Sequence, residues 1–143
     1  MPVLSLQLAN DFAALAPASA QVREFLGACG APCAAEFLAD LVIEELVTNT
    51  IKYGYDDEAG HCVHVRVEFH EGRLCLEVRD DGRAFDPLAQ AEPDTTLPAE
   101  QRDIGGLGIH LVRQMTDEVR YERRGDENVV TAIKTFPPDA DGQ

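Results

Sequence analysis

Three short segments carry residue types that could do chemistry together. In Glu45-Leu-Val-Thr-Asn49 a carboxylate and a carboxamide stand four apart in a stretch with helical spacing, so they project from one helix face a turn from each other. The Asn49 oxygen is a hard ligand of the kind magnesium takes beside waters and phosphate oxygens, and the Glu45 carboxylate could accept a proton from an attacking hydroxyl or water. Asp80-Asp-Gly82 ends a strand, and continuing the row Leu74, Leu76, Val78 by two puts Asp80 on the inward face. A carboxylate there must be hydrogen-bonded or it destabilises the fold, and the exocyclic amine of adenine is a donor it could use. Gly105-Gly-Leu-Gly108 opens a helix, where backbone amides and the positive dipole end can approach phosphates. Each segment also has a plainer reading: Glu45 and Asn49 as polar residues on a solvent face, Asp80 as turn chemistry, the glycines as a hinge or cap. Jointly they supply most of what a nucleoside triphosphate site needs.

The elements that must position these residues follow from hydrophobic spacing. Residues 3 to 8 alternate Val3 and Ser5 against Leu4, Leu6 and Leu8, which predicts a short strand. After a possible cap at Asn10-Asp11, residues 12 to 26 read as two helical pieces interrupted at Pro17 and ending near Gly27 to Gly30. Residues 34 to 53 form the strongest helix, apolar over more than one face and therefore interior, with Lys52 at its negative dipole end and Gly54 as its stop. A solvated turn at 56 to 60 precedes strict alternation of Val63, Val65, Val67 and Phe69, a Glu71-Gly72 turn, and Leu74, Leu76 and Val78: a hairpin with one buried face. From 83 to 103 the pattern dissolves around Pro87, Pro93 and Pro98, as expected of a lid. Helix returns at 106 to 115 with Leu107, Leu111 and Val112 as its apolar stripe, and two strands, 118 to 123 and 128 to 136, close the order. The expectation is an α/β two-layer sandwich, helices on one face of a mixed, mostly antiparallel sheet whose other face is polar, in one domain of residues 1 to 136 with a disordered tail from 137 to 143.

Composition narrows the partners. The 143 residues suffice for one core, and no window holds the roughly 18 apolar residues that a membrane-spanning helix requires. No basic, apolar leader opens the chain, which gives a cytoplasmic expectation. A net charge of −14 opposes nucleic acid and anionic membrane surfaces. It also opposes a nucleotide, so a site must gather local cations; Lys52, Arg83, Arg102 and Arg113 lie near the motifs, and magnesium would neutralise the rest. The four cysteines include no Cys-x-x-Cys pair, and the four histidines have no ligand spacing.

Taken in order, Glu-Leu-Val-Thr-Asn-Thr-Ile-Lys-Tyr-Gly-Tyr (45 to 55), Asp-Asp-Gly-Arg-Ala-Phe-Asp-Pro (80 to 87) and Ile-Gly-Gly-Leu-Gly-Ile-His-Leu-Val (104 to 112) resemble the Bergerat ATP-binding fold of the GHKL superfamily, in particular its anti-sigma-factor serine/threonine kinases. The resemblance spans residues 3 to 136. It implies ATP and Mg2+ as cofactors, Asn49 as the metal ligand, Glu45 as the catalytic base and Asp80 as the adenine acceptor. Gly82 and Ala84 would flank the base, Lys52 would supply charge, and Gly105, Gly106, Leu107 and Gly108 would wrap the phosphates beneath a lid of about residues 83 to 108. Two positions depart from the family pattern: Ala84 and Ile104 stand where glycines are usual. The implied activity is phosphorylation of a serine or threonine on a STAS-domain anti-anti-sigma protein, with binding of that partner or of a sigma factor, and a homodimer as the assembly. The alternative is a nucleotide-gated protein-binding module that transfers no phosphate.

Overall fold

The computed structural model describes residues 2 to 54, 61 to 89 and 104 to 137. Five strands, β1 (Val3–Ala9), β2 (Cys62–His70), β3 (Arg73–Asp80), β4 (Glu118–Arg124) and β5 (Glu127–Thr135), form one sheet in the order β1-β2-β3-β5-β4. Every neighbouring pair is antiparallel, so the sheet stands at the antiparallel limit of the expectation. Helices α1 (Leu15–Ala28), α2 (Cys33–Tyr53) and α3 (Ile104–Met115) cover one face, with α2 packed against both others.

The alternation read from the sequence sets the two faces. Val63, Val65, Val67, Leu74, Leu76 and Val78 are all buried against the helices, while Arg66, Glu77 and Arg79 take the opposite side. Arg79 bridges Glu77 and Glu127 there, and Arg66 meets Glu68. Cys62 and Cys75 belong to this outer row, half-covered and with free thiols, and burial together with Glu68 pushes the Cys75 thiol up, making it a poor nucleophile. The hairpin between β2 and β3 turns through Glu71 and Gly72, both at positive φ, which fits the twist of the strands it joins.

Pro17 does not break α1. It sits in the first turn, where its missing amide costs no hydrogen bond, and the preceding single turn (Phe12–Ala14) is capped by the Asp11 carboxylate accepting from the Ala13 amide. In α2, Glu36 near the start and Lys52 near the end complement the dipole, and nine residues of its 21 are buried, as an interior helix requires. The apolar stripe of α3 needs correction: Leu111 is 41% exposed, and the core contacts come from Ile109 and Val112, which lie three apart. The glycine run also falls inside α3, which begins at Ile104 rather than after the pair. Residues 55 to 60, the lid between 90 and 103, and the tail beyond Pro137 lie outside the described residues.

Candidate functional site

Burial singles out one place. Among the described residues four polar or charged side chains are buried, Asn49, Thr50, Asp80 and Asn128, and all four line the same cavity, closed by Leu46, Val78, Phe85, Pro87 and Val130. Helix α2 delivers Asn49 and Thr50 from its last two turns. Strand β3 delivers Asp80 from its inward row, and β5 places Asn128 opposite it in register.

Asp80 meets three donors. Its Oδ1 accepts from the Gly82 amide at 2.9 Å and from Asn128 Nδ2 at 3.0 Å, and Thr50 Oγ1 stands 3.2 Å from Oδ2. The Thr50 hydroxyl also reaches the Leu46 carbonyl at 3.1 Å, so its single proton is shared and Oδ2 keeps acceptor capacity for a ligand. Gly82 is required by proximity: a Cβ there would stand 2.5 Å from the Gly54 carbonyl oxygen and 2.9 Å from Asp80 Oδ1. The turn reading and the inward reading of this segment are therefore both correct, with the Gly82 amide closing the turn onto the buried carboxylate.

Asn128 was not legible as a site residue. Its Nδ2 donates to Asp80 and to the Arg83 carbonyl at 2.8 Å, while its Oδ1 accepts from the Tyr121 hydroxyl at 2.6 Å, from Arg123 at 3.2 Å and from the Phe85 amide at 3.2 Å. Partners on both ends fix the amide's orientation without ambiguity. A lone Asn after a turn reads as turn chemistry; only the register that sets it beside Asp80 would have revealed it. Arg123 further ties the Gly82 carbonyl at 2.8 Å, and the Arg83 amide donates to the Gly54 carbonyl at 2.9 Å. Residues 82 to 85 are thus pinned over the cavity, and the Phe85 ring packs on Tyr53 with centroids 6.0 Å apart.

Glu45 lies one turn before Asn49, half-buried. Its carboxylate abuts the backbone of α3 at Gly108, where an added Cβ would overlap both oxygens. Burial raises its pKa, Lys52 lowers it in part, and Glu44 raises it again. The result is a carboxylate more basic than an exposed one. Of the remaining expected residues, Lys52 and Ala84 are exposed, and Gly105, Gly106 and Leu107 fall in the first turn of α3. Arg83 and Arg113 are exposed, and Arg102 lies outside the described residues.

The donor set suits the groups expected of it. The buried carboxamide of Asn49 carries a hard oxygen of the kind taken by a cation that fills most of its shell from phosphates and water. Among the described residues no cluster of three or more His, Cys, Asp or Glu that could hold a metal occurs. The cavity holds about 20 Å3, room for about one water.

Residues 8 to 134 match the family model described as the histidine kinase-like ATPase domain. The chain belongs to that family. Among relatives of this ATPase domain, the anti-sigma F factor of Priestia megaterium is 34% identical over 96 residues, covering 65% of this chain and 64% of that protein. The serine-protein kinase RsbW of Bacillus subtilis (strain 168) is 30% identical over 95 residues, covering 62% of this chain and 58% of its own length. This chain therefore spans a little under two-thirds of these relatives. In fold, the domain superposes on a solved Mycobacterium tuberculosis protein containing RsbU and RsbW domains with a TM-score of 0.68, at 19% identity, over 94% of this chain and 32% of that one. No helix among the described residues of the domain is long and apolar enough to cross a membrane.

Proposed function

We propose that this domain is a cytoplasmic, Mg-ATP-dependent serine/threonine protein kinase and anti-sigma regulator, acting on a STAS-type anti-anti-sigma protein and binding it or a sigma factor, as a homodimer formed by single domains of residues 1 to 136. One observation carries the reading: the buried polar side chains of the described chain converge on one cavity, with a carboxylate of raised basicity one helical turn away. The relatives named as serine-protein kinases and anti-sigma factors support the choice of activity and partner.

In this reading Asp80 accepts the exocyclic amine of adenine through Oδ2, and Gly82 and Ala84 let the chain pass beside the base. Asn49 holds magnesium, whose charge offsets that of the phosphates. Lys52 adds positive charge, while Gly105, Gly106, Leu107 and Gly108 lie along the phosphates at the start of α3. Glu45 takes the proton from the acceptor hydroxyl as its oxygen bonds to the γ-phosphorus, and the bond to the bridging oxygen breaks to leave ADP. Lid residues 83 to 108 exclude water from that step.

Incubation with γ-labelled ATP, Mg2+ and the STAS proteins encoded nearby tests the proposal: label is expected on a serine or threonine of one of them, and none with Glu45→Ala. The nucleotide-gated module is the second reading, favoured by the fact that Asn49, Asp80 and the glycines serve binding while Glu45 alone serves chemistry. It would be established by ATP-driven partner release that survives Glu45→Ala, with no labelled protein from the wild type.

A further inference from the structure

The two faces of the molecule settle their charges differently. On the outer face of the sheet each glutamate of the strands meets an arginine: Glu68 with Arg66, Glu77 and Glu127 with Arg79, Glu118 with Arg120, and Glu122 with Arg124. On α2, Glu36, Asp40 and Glu44 follow one another at intervals of four, so like charges stack along one side of the helix, an arrangement that destabilises it. Among the described residues no cation stands within ion-pair distance of any of these three, and Arg23, one turn beyond Ser19 on α1, makes no ion pair with them.

Two of these carboxylates border a groove. Leu15, Ala16 and Ser19 of α1 and Asp40, Ile43 and Glu44 of α2 line a space of about 290 Å3. Ser19 Oγ donates to Asp40 Oδ1 at 2.5 Å, which fixes that carboxylate at the wall and leaves Oδ2 free to accept. Ile43 is the buried, apolar floor, and Glu44 is exposed at the rim. Two phenylalanines stand out of the surface along the same helix faces. Phe37, 62% exposed, lies three residues before Asp40 and seven before Glu44 on one stripe of α2, and Phe12, 52% exposed, lies three before Leu15 and four before Ala16. Exposed aromatic rings beside a concave, partly apolar surface are the composition of a protein contact site.

The group that fits is a guanidinium. Asp40 and Glu44, one helical turn apart, present acceptor oxygens to its planar fork of N–H donors, and its carbon stem has Leu15 and Ile43 to lie along. Phenyl faces favour the same group, since arginine stacks on aromatic rings where an ammonium stays hydrated. A neutral or acidic occupant would leave both carboxylates unpaired against a chain that already carries −14. The place suits a protein rather than a free ligand: Asp40 precedes Glu45 by five residues, about 7.5 Å along α2, so a side chain held here sets its own backbone beside the turn that carries the base.

We infer that the groove between α1 and α2 anchors an arginine of the partner protein, its stem along Leu15 and Ile43 and its guanidinium on Asp40 and Glu44, with Phe12 and Phe37 flanking the contact. This deepens the kinase reading, on which it rests, by naming the chemistry through which the protein substrate docks.

Phosphotransfer to the STAS proteins encoded nearby, measured as KM for the protein beside Kd for ATP, tests it. Asp40→Asn with Glu44→Gln removes both charges and keeps an acceptor for Ser19. This double variant is expected to raise KM for the labelled STAS protein about tenfold and to flatten its dependence on salt, with ATP affinity within twofold of the wild type. Glu44→Arg should abolish docking, and changing one arginine of the STAS protein to glutamate should restore it with that variant and weaken it with the wild type. Unchanged KM in the double variant, a parallel loss of ATP affinity, or no arginine whose change rescues Glu44→Arg overturns the anchor and leaves the kinase reading standing. If the wild type labels no STAS protein, that reading falls and amide NMR decides the groove. The probe is an acetylated, amidated peptide with one arginine between leucines; shifts at Ser19, Asp40 and Glu44 that are missing with its glutamine counterpart and with the double variant support the anchor. Their absence, or equal shifts with spermidine, overturns it.

Discussion

Asp80→Asn separates the structural from the ligand-binding work of this carboxylate. In the folded protein Oδ1 faces two donors, the Gly82 amide and Asn128 Nδ2, so the new amide must keep its oxygen there and turn its nitrogen toward Thr50. Thr50 can accept it, because its own proton goes to the Leu46 carbonyl 3.1 Å away. Every hydrogen bond is therefore retained, two of them weakened from charged to neutral at a cost of about 1 kcal/mol each, offset by no longer burying a charge. The net change in stability should be about 1 kcal/mol or less, a shift in Tm of a few degrees. The ligand sees the reverse. Where Oδ2 could accept from adenine, the variant presents a donor, losing a bond to a charged group and leaving two donors face to face, about 3–4 kcal/mol or a hundred- to thousandfold in Kd. Titration calorimetry with ATP and Mg2+, alongside thermal melts, measures both. Nucleotide affinity within threefold of the wild type would falsify Asp80 as the adenine acceptor, and a collapse of Tm would show that the carboxylate serves the turn alone.

Glu45→Gln should stabilise the protein at pH 7. Burial raises the folded-state pKa of Glu45 above the unfolded value near 4.5, so the wild type gains stability below that value and loses it as pH rises through the folded pKa. Paired melts across pH 4 to 8 should diverge as pH increases, with the variant higher; a lower variant Tm at pH 7 contradicts the sign. Gly108→Ala should leave the fold intact, since the obstructed atoms are the mobile end of Glu45 and alanine favours a helix, while phosphotransfer drops tenfold or more as the carboxylate is displaced. Equal activity in labelled-ATP assays would remove Gly108 from the site. Asn128→Ala strips Asp80 of a donor and leaves the Tyr121 hydroxyl and Arg123 without their shared acceptor, a loss of about 2–4 kcal/mol expected as a Tm lower by roughly 10 °C. A shift under 2 °C would show that the network is dispensable.

Much of the fold was legible because it rests on local periodicity. The alternation at 63 to 69 and 74 to 78 is a property of neighbouring residues, and it placed Asp80 on the buried face correctly. The failures have equally physical causes. Leu111 fits an apolar stripe by spacing, yet α3 turns Ile109 and Val112 to the core, because the phase of a short helix is set by what it packs against. Pro17 reads as a breaker, but in the first turn it has no hydrogen bond to break. Asn128 carries no local signal, since its importance lies in the five groups that meet it from β3, β4 and the segment after β3.

The sequence alone determined which chemical groups are available and how far apart they stand within an element: Glu45 and Asn49 share a face because a helix turns every 3.6 residues, and Asp80 points inward because a strand alternates every two. Tertiary structure decided what no periodicity encodes: that β5 lies beside β3 and brings Asn128 onto Asp80, that Gly108 meets Glu45 across two helices, and that Phe85 and Pro87 close the cavity. Those contacts join residues 30 or more positions apart, and their positions follow from the packing of whole elements against one core.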